Sequence, residues 1–157
     1  ELFLAKELPI LMEENVKVRL MGRKNNLPEH TLKAVETAVE KTKNNTGLIL
    51  NFALNYGSRL ELLEATKQIA LDVKNGKLDV EQISEKTIES YLMTNGLPDP
   101  DLLIRTSGEI RLSNFMLWQL AYSEFCFTDV LWPDFTEEHF IEAIRIFQQR
   151  GRRYGGV

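Results

Sequence analysis

The chain has 157 residues, 43% of them hydrophobic and 27% charged, which is the balance of a folded domain with a sizeable core rather than of a disordered polypeptide. A net charge of −4 argues against a nucleic-acid binder, and no apolar run is long enough to cross a membrane as a helix. Cys126 is the single cysteine, so there is no internal disulfide framework. The segment Glu1–Leu8 lacks the basic start of a signal peptide, and a cytoplasmic protein is expected.

Helical and strand patterns alternate with short connections, which predicts an α/β fold: a mostly parallel sheet flanked by helices, in a single domain spanning residues 1–157. Glu1 to Glu14 has helical character through Leu4, Leu8, Leu11 and Met12, and Val16 to Met21 reads as a strand that stops at Gly22. Pro28 to Lys43 places Leu32, Val35 and Val39 on one helical face. Leu48 to Leu54 is a nearly continuous apolar run, which suggests a strand buried on both faces. Ser58 to Lys74 is helical, with Leu62, Ile69 and Val73 along a stripe that ends at Asn75-Gly76. One or two short helices are expected over Val80–Met93, then a turn over Asn95–Pro100. Leu102–Ile104 and Phe125–Phe127 read as strands and Asn114–Tyr122 as a helix between them. Thr136 can cap a last helix that runs to about Gln149, with Phe140, Ile144 and Phe147 in its stripe.

The most informative stretch follows the strand at Leu102–Ile104. Arg105, Thr106, Ser107, Gly108, Arg111 and Ser113 gather two forked, permanently charged donors, several hydroxyls and a glycine in one short loop, which is the composition of an anion cradle. In open α/β sheets ligands bind beyond the carboxyl ends of the strands, where this loop lies. The expected helix at Asn114 would add its N-terminal amides to the same place. The competing reading is a surface loop in which Arg105 and Arg111 merely pair with Asp99, Asp101 or Glu109. His30 and His139 show no metal-ligand spacing and read as surface residues. Cys126, between Phe125 and Phe127, reads as a small buried hydrophobe. A nucleotide-phosphate enzyme is disfavoured because no Gly-x-x-x-x-Gly-Lys motif is present.

Asp101 to Glu109, continuing through Arg111–Gln119, resembles the signature of the cis-prenyltransferase family, of the bacterial undecaprenyl diphosphate synthase type. Leu50–Arg59, Ala121–Phe125, Leu131–Phe135 and Arg152–Gly156 are similar to other blocks of that family, in the same order. The resemblance implies a Mg2+-assisted transferase. It would condense isopentenyl diphosphate onto farnesyl diphosphate with cis geometry, to make the undecaprenyl diphosphate carrier of bacterial cell-wall synthesis. By the same resemblance Arg105, Arg111, Leu112 and Ser113 bind the isopentenyl diphosphate, and Glu124 contributes to the metal site. Arg153 and Gly155 of the tail reach a diphosphate near a homodimer interface, and Leu48 lies near the floor of a product tunnel. Membrane proximity would be peripheral, through the lipid product.

Two departures bear on those expectations. Position 110 is Ile where some members carry a polar or basic residue, so that donor is absent. The Asp-Gly-Asn-Gly-Arg-type loop, which supplies the family's essential aspartate, and the Ser-Thr-Glu-Asn-Trp-type segment occur nowhere between Glu1 and Val157. The chain is therefore read as the C-terminal two thirds of a synthase, with its N-terminal part missing and inactive by itself. A noncatalytic accessory or diphosphate-binding module resembling the family is the alternative.

Overall fold

Left-handed residues bracket the first strand. Asn15, at φ 55°, ends helix α1 (Leu2–Glu13), and Gly22, at φ 111°, ends β1 (Lys17–Met21). A side-chain carbon at position 22 would stand 1.9 Å from the Leu54 carbonyl oxygen, so both conformation and space require glycine there. The computed structural model describes residues 2–150, with side chains from residue 6 onward. The chain divides into two units, residues 1–95 and 96–157.

In the first unit α2 (Glu29–Thr42) connects β1 to β2 (Ile49–Ala53), and the strands pair in parallel from Lys17 opposite Ile49 to Met21 opposite Ala53. The amphipathic stripe of α2 buries Val35, Ala38 and Thr42, and packs beside the buried Val16, Val18 and Met21. Thr42 also answers a backbone need: its hydroxyl accepts the Val18 N–H at 2.9 Å and donates to the Ala38 carbonyl at 2.8 Å.

The strand at 49–53 departs from expectation. Among the described residues it pairs with β1 alone, and Leu48, at 70% exposed, and Ile49 are open to solvent; the apolar run is not buried on both faces.

Helix α3 (Ser58–Lys74) has the expected bounds, but its inner stripe is Ser58, Glu61, Ala65 and Ile69 rather than Leu62, Ile69 and Val73. Glu61, 2% exposed, sets that rotation. Its carboxylate accepts the Tyr56 hydroxyl at 2.5 Å and the Met93 N–H at 2.8 Å. A buried carboxylate must be satisfied in this way, and here it ties α3 to the segment after α4 (Glu85–Tyr91). Arg19, on β1, donates to the carbonyls of Met93 and Asn95 and holds the same segment.

In the second unit β3 (Leu102–Arg105) and β4 (Glu124–Phe127) form another parallel pair, Leu102 opposite Glu124 and Arg105 opposite Phe127. The described strands thus make two parallel pairs, one in each unit. Helix α5 (Glu137–Gln149) starts as expected at Thr136, whose N–H donates to His139 Nδ1 at 3.0 Å; this gives His139 a capping role. Ala143 is its fully buried residue, while Phe140 is exposed. Cys126 is buried, as expected.

The helix expected over Asn114–Tyr122 is absent. Ser113, Asn114 and Met116 take φ of 51°, 62° and 46°, which a right-handed helix cannot accommodate, and the segment forms successive turns instead. Of its apolar residues Leu120 is buried in the core, while Leu117 and Tyr122 are exposed. No described helix is long and apolar enough to cross a membrane.

A second carboxylate of the first unit makes stability depend on pH. The Tyr91 hydroxyl donates to Asp72 at 2.9 Å, and this bond, with smaller help from Gln68 and Lys77 and against partial desolvation, holds the Asp72 carboxyl below its ordinary value. The same bond raises the Tyr91 phenol above its own. A depressed carboxyl contributes stability above its unfolded value, and that contribution is lost as pH falls through the folded value. Between about pH 6 and about pH 2, urea unfolding should therefore show a smaller loss of stability in Tyr91→Phe than in the wild type. Equal slopes would place the acid sensitivity elsewhere.

Candidate functional site

The loop after β3 is held by an extension of the strand pairing. Thr128 N–H donates to the Arg105 carbonyl at 2.9 Å, Gly108 N–H to the Thr128 carbonyl at 2.9 Å, and Ser107 N–H to the Val130 carbonyl at 2.8 Å. This fixes the chain at Ser107-Gly108, both left-handed at φ 68° and 67°, and the remainder of the loop departs from that anchor. A concentration of left-handed residues in one loop is the kind of backbone strain found at binding sites.

Arg105 stands half-buried at the carboxyl end of β3, and its Nη1 donates to the Arg111 carbonyl at 2.5 Å. Arg111 is exposed, and its guanidinium forms an ion pair with Glu109. The competing surface-pair reading thus holds for Arg111, with Glu109 as the partner. Leu112 is half-buried and Ser113 exposed. A cavity of about 220 Å3 opens beside them, lined by Leu103, Ile104, Arg105, Thr106, Leu112, Phe115 and Trp132. One loop therefore carries all four residues: Arg105 and Leu112 line a mostly apolar hollow, Arg111 is joined to Arg105 through its carbonyl, and Ser113 stands exposed beyond them. The helix N-terminus expected to reinforce it does not exist, so guanidinium groups, hydroxyls and loop amides are the available anion donors.

The other expected residues lie apart. Glu124 opens β4 opposite Leu102, three positions and so about 10 Å from the level of Arg105. Its carboxylate pairs with Arg150 at 2.9 Å, and Arg150 also donates to the Phe125 carbonyl at 2.8 Å. Arg150 is therefore docked on β4. A hard carboxylate suits Mg2+, which is commonly held by one or two carboxylates together with substrate phosphates and water, so Glu124 fits as one arm of such a site. Among the described residues no group of three or more His, Cys, Asp or Glu side chains is placed to hold an ion alone. Leu48 belongs to the first unit, at the exposed start of β2. Arg153 and Gly155 lie outside the described residues. Sequence reasoning missed Glu61 and its Tyr56 bond, although a carboxylate one helical turn into an amphipathic stripe was a visible signal.

Parallel α/β units with a loop at the carboxyl end of a strand belong to a broad class of folds in which ligands commonly bind beyond the strand ends. The comparisons narrow it. The prenyltransferase family profile described as "Putative undecaprenyl diphosphate synthase" matches residues 1–155, and the chain belongs to that family. It is 69% identical over all 157 residues to an isoprenyl transferase of Halalkalibacterium halodurans, and 67% identical to one of Shouchella clausii. In each case it spans 61% of the relative's length. Among solved structures it is similar to a lavandulyl diphosphate synthase of Lavandula x intermedia in complex with dimethylallyl diphosphate. That likeness has a TM-score of 0.93 and 39% identity, over 98% of this chain and 67% of that one.

The anchor of the loop is directly testable. A side-chain carbon at position 108 would lie 3.0 Å from Asp129 Oδ1, on a backbone at φ 67°. Gly108→Ala should lower stability in urea unfolding by about 1–2 kcal/mol. No loss would mean that the turn relaxes freely and is not a rigid anchor.

Proposed function

We propose that this chain forms the isopentenyl-diphosphate side of a cis-prenyltransferase, which condenses isopentenyl diphosphate onto farnesyl diphosphate to make undecaprenyl diphosphate. The observation that supports the reading is one loop that carries Arg105, Arg111 and Ser113, ties Arg105 to the Arg111 carbonyl and lines an apolar hollow with Arg105 and Leu112, in a chain of this family. In this mechanism the two guanidinium groups and the Ser113 hydroxyl hold the diphosphate oxygens, and the anchored turn at Ser107-Gly108 fixes their spacing. Arg105, rooted in the strand, sets the orientation of the ester. Arg111, exposed at the loop's far end, closes on it. Glu124, now paired with Arg150, would serve as one ligand of a Mg2+ ion, which would supply charge neutralisation at the diphosphate oxygens.

The rest of the proposal follows the family. The profile runs through both units, which supports one synthase domain of which this chain is a part that is inactive alone. Leu48 would sit along the path of the growing product. Arg153 and Gly155 would reach the diphosphate of a partner subunit. The enzyme would work in the cytoplasm, at the membrane surface only through its lipid product and the cell-wall pathway it supplies. A homodimer is supported by the apolar surface of the second unit, where Tyr122 and Trp132 are 74% and 72% exposed and Leu131 and Phe140 are also open, while Leu120 belongs to the core.

Charge-assisted contacts of this kind contribute about 1.5–3 kcal/mol each, so Arg111→Ala in the full-length enzyme should raise the KM for isopentenyl diphosphate by an order of magnitude or more. Unchanged kinetics would remove the loop from the substrate site. Sedimentation of the full-length enzyme at micromolar concentration should give a dimer that Trp132→Asp weakens. A persistent wild-type monomer would leave the apolar surface without that partner.

A further inference from the structure

The loop that would bind a diphosphate already contains an anion. The Glu109 and Arg111 side chains meet on one face of the loop, while the intervening Ile110 is open to solvent at 77% exposed. On that face the Glu109 carboxylate pairs with the Arg111 guanidinium, and Arg105 in turn donates to the Arg111 carbonyl. The loop is thus closed on itself through the two arginines assigned to the ligand. A carboxylate on a guanidinium presents the same kind of forked oxygen pair that a phosphate does.

We infer that Glu109 is a positioning and specificity-determining residue: an internal surrogate that holds the Arg111 fork until an incoming diphosphate displaces it. The inference rests on the reading of this loop as the diphosphate site and adds to it the competitor that every anion must expel. Three features favour a displaceable contact over a fixed structural pair. Arg111 is exposed and Glu109 partly so, which lets the carboxylate swing into water without stranding a buried charge. The anchor of the loop is backbone pairing at Ser107 and Gly108, which does not involve the Glu109 side chain. Breaking an exposed pair is also a small cost, which a ligand making several charge-assisted bonds covers and a weakly held anion covers less well. Glu109 thereby favours diphosphate over simple phosphate.

The test is calorimetric titration of inorganic diphosphate into the full-length protein at low salt. Removing the surrogate should tighten binding by about two- to fivefold in Glu109→Gln, and similarly in Glu109→Ala, with the gain shrinking at about 1 M salt. Glu109→Asp, which keeps the carboxylate, should stay near the wild type. In an Arg111→Ala background Glu109→Gln should give no gain, because the two residues act through one contact. Equal or weaker binding by Glu109→Gln in the wild-type background would overturn the inference. So would a gain that persists without Arg111, which would be a general charge effect. Undiminished diphosphate binding in Arg111→Ala alone would overturn the site itself along with it, whereas a loss there without tightening in Glu109→Gln would overturn only the surrogate role.

Discussion

The geometry of the candidate site depends on the parallel pairing of β3 with β4, which does not stop where the strands do. It continues through the Arg105 carbonyl, the Gly108 amide and the Ser107 amide onto Thr128 and Val130, so the first turn of the loop is part of the sheet's hydrogen-bond network. That continuity anchors a stretch in which four non-glycine residues of the second unit hold left-handed backbone, Ser107, Ser113, Asn114 and Met116. It also directs Arg105 and Arg111 back toward one another. A loop tethered only at its ends would spread them.

The first unit shows the same economy with buried polar groups. Thr42 closes the free edge of β1, Glu61 joins α3 to the segment after α4, and Arg19 grips that segment from β1. Each of these side chains meets backbone groups that the sheet and helices leave over. Satisfying them supports a two-stranded sheet whose β1 is covered by α2 while Ile49 of β2 is open to solvent.

Much of this was legible in the sequence, for identifiable reasons. Helices with a clear 3.6-residue stripe and a stop signal, such as Ser58–Lys74 before Asn75-Gly76, were found with their bounds. Strands were found because β-branched and apolar residues stand between turn residues. Asn114–Tyr122 was not legible, because its apolar residues imitate a helical stripe while the left-handed residues at its start forbid one. The rotation of α3 was hidden because a buried Glu outweighs Leu62 once Tyr56 and Met93 satisfy it. In the site, the gathering of Arg105, Arg111 and Ser113 followed from chain proximity. The pairing of Glu124 with Arg150 needed the register of β4 and the docking of α5, neither of which spacing reveals.

Amide hydrogen exchange on the full-length protein, with and without saturating isopentenyl diphosphate, addresses the central claim most directly, because the proposed ligand contacts lie on one loop anchored through Ser107 and Gly108 to Val130 and Thr128. The strongest added protection is expected over residues 105–113, spreading to 128–130 through the shared hydrogen bonds. Saturating ligand that protects other segments and leaves 105–113 unchanged would contradict the assignment of this loop as the diphosphate site.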